Sequence, residues 1–173
     1  MAIAVGQTNV GWRFQGLKSC CWLTAIEMVM QWKHNCIYGV GQDGRPRARH
    51  TDLAIADFKK NKGSHIDDHA RDYGLKVNRS LEHETSIDKW KAALTNGPVI
   101  AEGRYGLARM GWGLHVIVIV GVSASGQLAY YNPNMFAFFP HAKSKLTYFS
   151  VERCIALSAS DSMMDGPFWQ IRD

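Results

Sequence analysis

Eight residues, Gln15-Gly16-Leu17-Lys18-Ser19-Cys20-Cys21-Trp22, hold the types and spacing that do acyl chemistry. A cysteine in the first turn of a helix faces unpaired backbone N–H groups and the positive end of the helix dipole. Both favour thiolate over thiol, and the thiolate is the nucleophile. A thiolate that attacks an amide needs an imidazole to hold the ion pair and protonate the leaving amine. It also needs donors for the oxyanion, which the Cys21 backbone N–H and the Gln15 side-chain amide can supply. Cys20 is a second candidate nucleophile; the six-residue step from Gln15 and the following Trp22 favour Cys21. For the imidazole the sequence offers His115, a titratable residue that opens a run of Val and Ile after the glycine-rich Gly103–Gly113. Asn132, in Tyr131-Asn132-Pro133-Asn134, is placed to orient the ring, with Asn134 as the alternative.

These residues have to be positioned by elements far apart in the chain. Trp22, Ala25, Ile26, Val29 and Met30 recur at helical spacing, so a largely buried helix begins at about Cys21. Gly39–His50 reads as a loop, and short helices are expected at Asp52–Lys60, Ser64–Tyr73 and Ser86–Thr95, the last stopped by Asn96-Gly97-Pro98. The period then changes. Pro98–Glu102, His115–Val122 and Gln127–Asn132 read as strands, with Ser123–Gly126 turning the second into the third. Such a hairpin brings residues 115 and 132 to one open end, where facing Cα atoms are about 5.5 Å apart. Leu146–Ser150 and Glu152–Ala159 are expected as further strands. Helices first and strands later predict an α+β fold with helices on an antiparallel sheet.

The order Gln, Cys-Trp at a helix start, His on a strand, then Asn resembles the papain-like cysteine proteases. The similarity is to compact bacterial members, among them plant-pathogen effector proteases and bacteriocin-leader peptidase-like domains. Gly97-Pro98-Val99-Ile100, Gly111–Gly113, His115 and Asn132-Pro133 carry it further, so that it spans about Gln15 to Asn134. The resemblance implies a papain-like fold, with N-terminal helices packed against a C-terminal antiparallel sheet. It implies Cys21 as nucleophile, His115 as base and acid, Asn132 as ring orienter and Gln15 as oxyanion donor. Trp22, Trp112 and Gly113, beside the nucleophile and the base, are the expected substrate-binding positions. The chain departs from the papain signature Cys-Gly-Ser/Ala-Cys-Trp, of which only Cys21-Trp22 matches. His115 follows Cys21 by 94 residues, against roughly 130–150 in the plant and lysosomal enzymes, which implies a trimmed fold.

Composition bounds the rest. A chain of 173 residues with 46% hydrophobic and 20% charged residues suits one domain with its own core, and excludes a disordered protein. A charge of +5 permits acidic partners without requiring them; Arg45, Arg47 and Arg49 form a small basic loop, and no stacking motif points to nucleic acid. Cys20, Cys21, Cys36 and Cys154 show no CxxC spacing, so neither a structural zinc nor any other cofactor is expected. His65 and His69 read as a solvated helix face, and Phe136, Phe138 and Phe139 as packing after the Asn132 turn. No signal-peptide pattern opens the chain, and the longest apolar run, Leu114–Val122, is too short for a membrane helix. A soluble protein made in the cytosol follows, with no membrane partner.

Only twenty residues precede Cys21, so no inhibitory propeptide domain is expected there, and the chain is expected to be either a catalytic domain cut from a larger effector or a small exported toxin. Family analogy then implies a toxin effector that cleaves protein substrates. It would be delivered into a target cell by a type VI-like secretion system, without a cleavable signal, and restrained by a cognate immunity protein. Two rival readings stand beside it. One is a peptidoglycan amidase, deamidase or transglutaminase using the same triad. The other is a non-enzymatic binding domain in which Cys21 packs silently.

Overall fold

The computed structural model describes residues 3–7, 9–12, 21–33, 73–105, 115–133, 146–158 and 167–171. In chain order the elements are β1 (Ile3–Gly6), α1 (Cys21–Lys33), β2 (Leu75–Val77), a 3₁₀ turn (Arg79–Leu81), α2 (Ile87–Thr95), β3 (Val99–Gly103), β4 (His115–Ser123), β5 (Leu128–Tyr131), β6 (Leu146–Phe149), α3 (Val151–Ser158) and β7 (Phe168–Ile171). The seven strands form one sheet in the order β2-β7-β3-β4-β5-β6, with β1 added on β4. Every pairing is antiparallel. The fold is therefore mixed α+β, as expected.

The sheet is organised around β4, and its sequence His-Val-Ile-Val-Ile-Val-Gly-Val-Ser explains why. Apolar residues on both faces read as a continuous run, the mark of a strand covered on each side. Val116, Val118 and Val120 join a first core with Trp22, Ala25, Ile26, Met28 and Val29 of α1. Ile117 and Ile119 join a second core with Trp90 and Leu94 of α2 and Val151 and Cys154 of α3. Strict alternation would send Val122 to the first core, yet it lies in the second. The register against β5 shifts between Ile119 and Gly121, and one extra residue exchanges the faces. β1 presses close at Gly121, where a Cβ would meet Ile3 Cγ2 at 2.5 Å and the Val5 carbonyl oxygen at 2.7 Å.

α1 runs from Cys21 and is buried almost all round, Trp22 through Gln31. The helix expected at Ser86–Thr95 forms at Ile87–Thr95, with Ser86 in extended backbone at its start. The β4–β5 hairpin closes as anticipated, with Ser123 N–H donating to the Gln127 carbonyl at 2.8 Å. The turn uses Gly126 at φ 75°, a left-handed conformation that glycine adopts without steric cost.

Two expectations need correction. Of the strand expected at Glu152–Ala159, the described residues up to Ser158 belong instead to the helix α3. Its buried residues, Val151, Cys154 and Ser158, recur at helical spacing. Ser150 caps it, accepting the Arg153 N–H on its hydroxyl at 3.3 Å. The order of helices first and strands later also fails, because β1 and β2 come from the N-terminal half. The loop at 39–50 and the helices at 52–60 and 64–73 lie outside the described residues, apart from Tyr73. So do Arg45, Arg47, Arg49, His65, His69, Phe136, Phe138 and Phe139.

Candidate active site

Cys21 is the first residue of α1 and is half-buried. The first turn of a helix has N–H groups with no partner inside the helix, so a thiolate here sits at the positive end of the dipole. The packing of Trp22, Ala25 and Ile26, at 6%, 0% and 1% exposure, fixes that turn against the sheet. Cys21 itself packs against the first core, which includes Val116, the neighbour of His115.

His115 heads β4 and is 8% exposed. Its backbone is set by register: it pairs with Gly103, the last residue of β3. Gly103 has to be glycine, since a Cβ would meet the Leu157 carbonyl oxygen of α3 at 2.6 Å. Arg104 N–H donates to that same oxygen at 3.0 Å, so the end of β3 beside His115 is braced by α3.

The His115 ring is held by Asn132, one residue beyond β5, with 2.8 Å between Nε2 and Oδ1. An amide oxygen only accepts, so Nε2 carries the hydrogen. In the neutral ring the lone pair is then on Nδ1, the nitrogen free to exchange a proton with a thiol or a leaving amine. Burial pulls the His115 pKa below its ordinary value, and the bond to Asn132 pushes it back up. Asn132 in turn accepts a hydrogen bond on its backbone oxygen from Trp12 Nε1, at 2.9 Å. That contact spans 120 positions and carries no local sequence signal.

Of the residues singled out from the sequence, the structure brings His115 and Asn132 together and sets Cys21 at its helix start. Gln15, Cys20, Trp112, Gly113 and Asn134 lie outside the described residues. Trp22, expected at the substrate, is 6% exposed and belongs to the first core. Cys154 is unsuited to be a nucleophile. It is fully buried, and desolvation pushes its thiol up to about 12. Among the described residues no group of three or more His, Cys, Asp or Glu could hold a metal ion. No helix among them is long and apolar enough to cross a membrane.

A thiol at a helix start and an amide-held imidazole at a strand start are the kinds of group a cysteine peptidase uses. Comparison with curated proteins gives no match. Comparison with protein families gives one, the papain-like cysteine protease AvrRpt2 family, over residues 4–137. That span is most of the chain and takes in α1, β4, β5 and all the catalytic candidates. The chain belongs to the papain-like cysteine protease AvrRpt2 family.

Proposed function

We propose that this cysteine-type endopeptidase cleaves protein substrates through a Cys21–His115–Asn132 triad, with Gln15 and the Cys21 N–H binding the oxyanion. The hydrogen bond between His115 Nε2 and Asn132 Oδ1 carries the reading, because it leaves Nδ1 as the working nitrogen of a fixed ring. The Cys21 thiolate attacks the scissile carbonyl and the N–H donors take up the charge on its oxygen. The His115 imidazolium protonates the departing amine, leaving a thioester on Cys21. Neutral His115 then removes a proton from water as the water attacks the thioester, and the acid product leaves with the thiolate restored. Trp112 and Gly113, close to His115 in sequence, border the substrate. The arrangement belongs to one papain-like domain spanning the chain, with N-terminal helices against the sheet; the share of α1 in the first core supports it.

Purified wild type cleaves a casein or peptide-library substrate, whereas Cys21→Ala loses all activity at an unchanged melting temperature. Full activity in Cys21→Ala refutes the assignment.

The same proposal extends to biology. In this reading the protein is a toxin effector, delivered by a type VI-like secretion system and neutralised in its producer by an immunity protein. Two observations support it: the family match, and a net charge of +5, which suits an acidic inhibitor. Expression in a bacterial cytosol tests it: growth stops with wild type and continues with Cys21→Ala. Undisturbed growth with an active enzyme present overturns the toxin role.

A further inference from the structure

We propose that Trp12 is a positioning residue of this active site, holding Asn132, and through it the His115 ring, from the N-terminal arm of the chain. The inference rests on the triad assigned above.

The β5 ladder stops short of Asn132. Its last pair with β4 is Val118 with Tyr131, and its last pair with β6 is Tyr131 with Leu146. The next residue, Pro133, has no N–H to extend the ladder. The peptide that carries the ring-orienting amide therefore sits just past the end of the sheet. Trp12 Nε1 reaches its carbonyl oxygen at 2.9 Å.

Trp12 is able to act as a peg because the arm before it is pinned at successive points. β1 pairs with β4 at Gly121–Ser123. Gln7 N–H donates to the Val120 carbonyl at 2.7 Å. The Gln7 side chain donates to the Leu94 and Thr95 carbonyls at the end of α2, at 3.0 and 3.1 Å. It accepts from Trp32 Nε1 of α1 at 2.7 Å. Val10 is 3% exposed and belongs to the first core. Two residues on, the half-buried indole of Trp12 meets Asn132. Trp12 touches no reacting atom and acts through the Asn132 peptide.

Trp32 supplies the control. Its indole N–H also donates to an amide oxygen, but to the Gln7 side chain of the arm and not to Asn132. Trp12→Phe and Trp32→Phe are compared by kcat, KM, melting temperature and the His115 Nε2–H proton resonance. Losing one hydrogen bond of ordinary strength is worth about fivefold. Trp12→Phe is expected to lower kcat about fivefold at unchanged KM and to broaden the Nε2–H signal by solvent exchange. Trp32→Phe removes one of several pins of the arm; it lowers the melting temperature and costs kcat and the signal much less than Trp12→Phe does. The role is overturned if Trp12→Phe keeps wild-type kcat and a sharp signal, or if the two variants lose kcat alike. If Trp12→Phe does not fold, the benzothienyl isostere at position 12 removes the N–H alone, under the same criteria. Asn132→Ala in the same series separates the two readings. If it is fully active, the triad itself fails; if it is impaired while Trp12→Phe is not, only the role of Trp12 falls.

Discussion

Replacing Asn132 with alanine removes the side-chain bond that the described residues make to the His115 ring, and its effect follows from the geometry. The backbone of His115 stays in the β3–β4 ladder, so only the ring is released. With χ1 free among three staggered wells, the productive orientation falls to about a third of its former occupancy. The imidazolium also loses a hydrogen bond of the charged kind, worth about 1.5–3 kcal/mol, or roughly tenfold to a hundredfold in rate. Together these give a kcat about thirtyfold to three-hundredfold below wild type. At 8% exposure the orphaned Nε2–H finds little water, so some stability is lost as well, about 1–3 kcal/mol. Asn132→Asp keeps an acceptor at the same place and favours the imidazolium, and it retains more activity than Asn132→Ala. Initial rates on a fluorogenic peptide, with melting curves on the same samples, give both quantities. A folded Asn132→Ala enzyme within about threefold of wild-type kcat would refute the reasoning.

Three other outcomes are expected. Iodoacetamide at pH 8 alkylates Cys21 well before Cys154, whose buried thiol is held near 12; mass spectrometry that finds Cys154 modified first in the native protein contradicts this. His115 is depressed below 6.5 in the fold, so below that pH the unfolded chain binds more protons than the folded one. Its contribution to stability is complete above pH 6.5 and is lost as pH falls through the folded value, so the urea midpoint of wild type falls more steeply with acid than that of His115→Gln; parallel profiles would remove the basis for it. Gly103→Ala drives a Cβ toward the Leu157 oxygen and lies opposite His115 in register. It costs about 1–3 kcal/mol by calorimetry and lowers kcat too, whereas wild-type values of both would show that α3 can yield.

The parts of the site legible in the sequence are those created by local structure. His115 and Asn132 are 17 positions apart on one hairpin, so reading the Ser123–Gly126 turn was enough to pair them. Cys21 announced itself through the apolar period of α1. What stayed hidden depends on distant pairing. β7, Phe-Trp-Gln-Ile, is four residues buried on both faces, with no alternation to mark it, and it exists because β2 and β3 flank it. β2 is three residues long, too short for any period. α3 did have a legible signal in Ser150 and the spacing of Val151, Cys154 and Ser158; the apolar content of the segment outweighed it. The Trp12 contact could not be read, since it joins residues 120 positions apart.

The division of the proposed catalytic groups between one hairpin and one helix also sets an order in time. The His115–Asn132 pair belongs to a local unit of the kind that closes in about 1–10 μs. The thiol is synthesised much earlier, but meets the imidazole only when α1 docks on the face of β4 built from Val116, Val118 and Val120. That docking buries most of the first core and so belongs to the cooperative folding of the whole domain. A nascent or partly unfolded chain thus holds a thiol without a base, or a base without a thiol. With the proposed triad, peptide cleavage is switched on by the same event that completes the core.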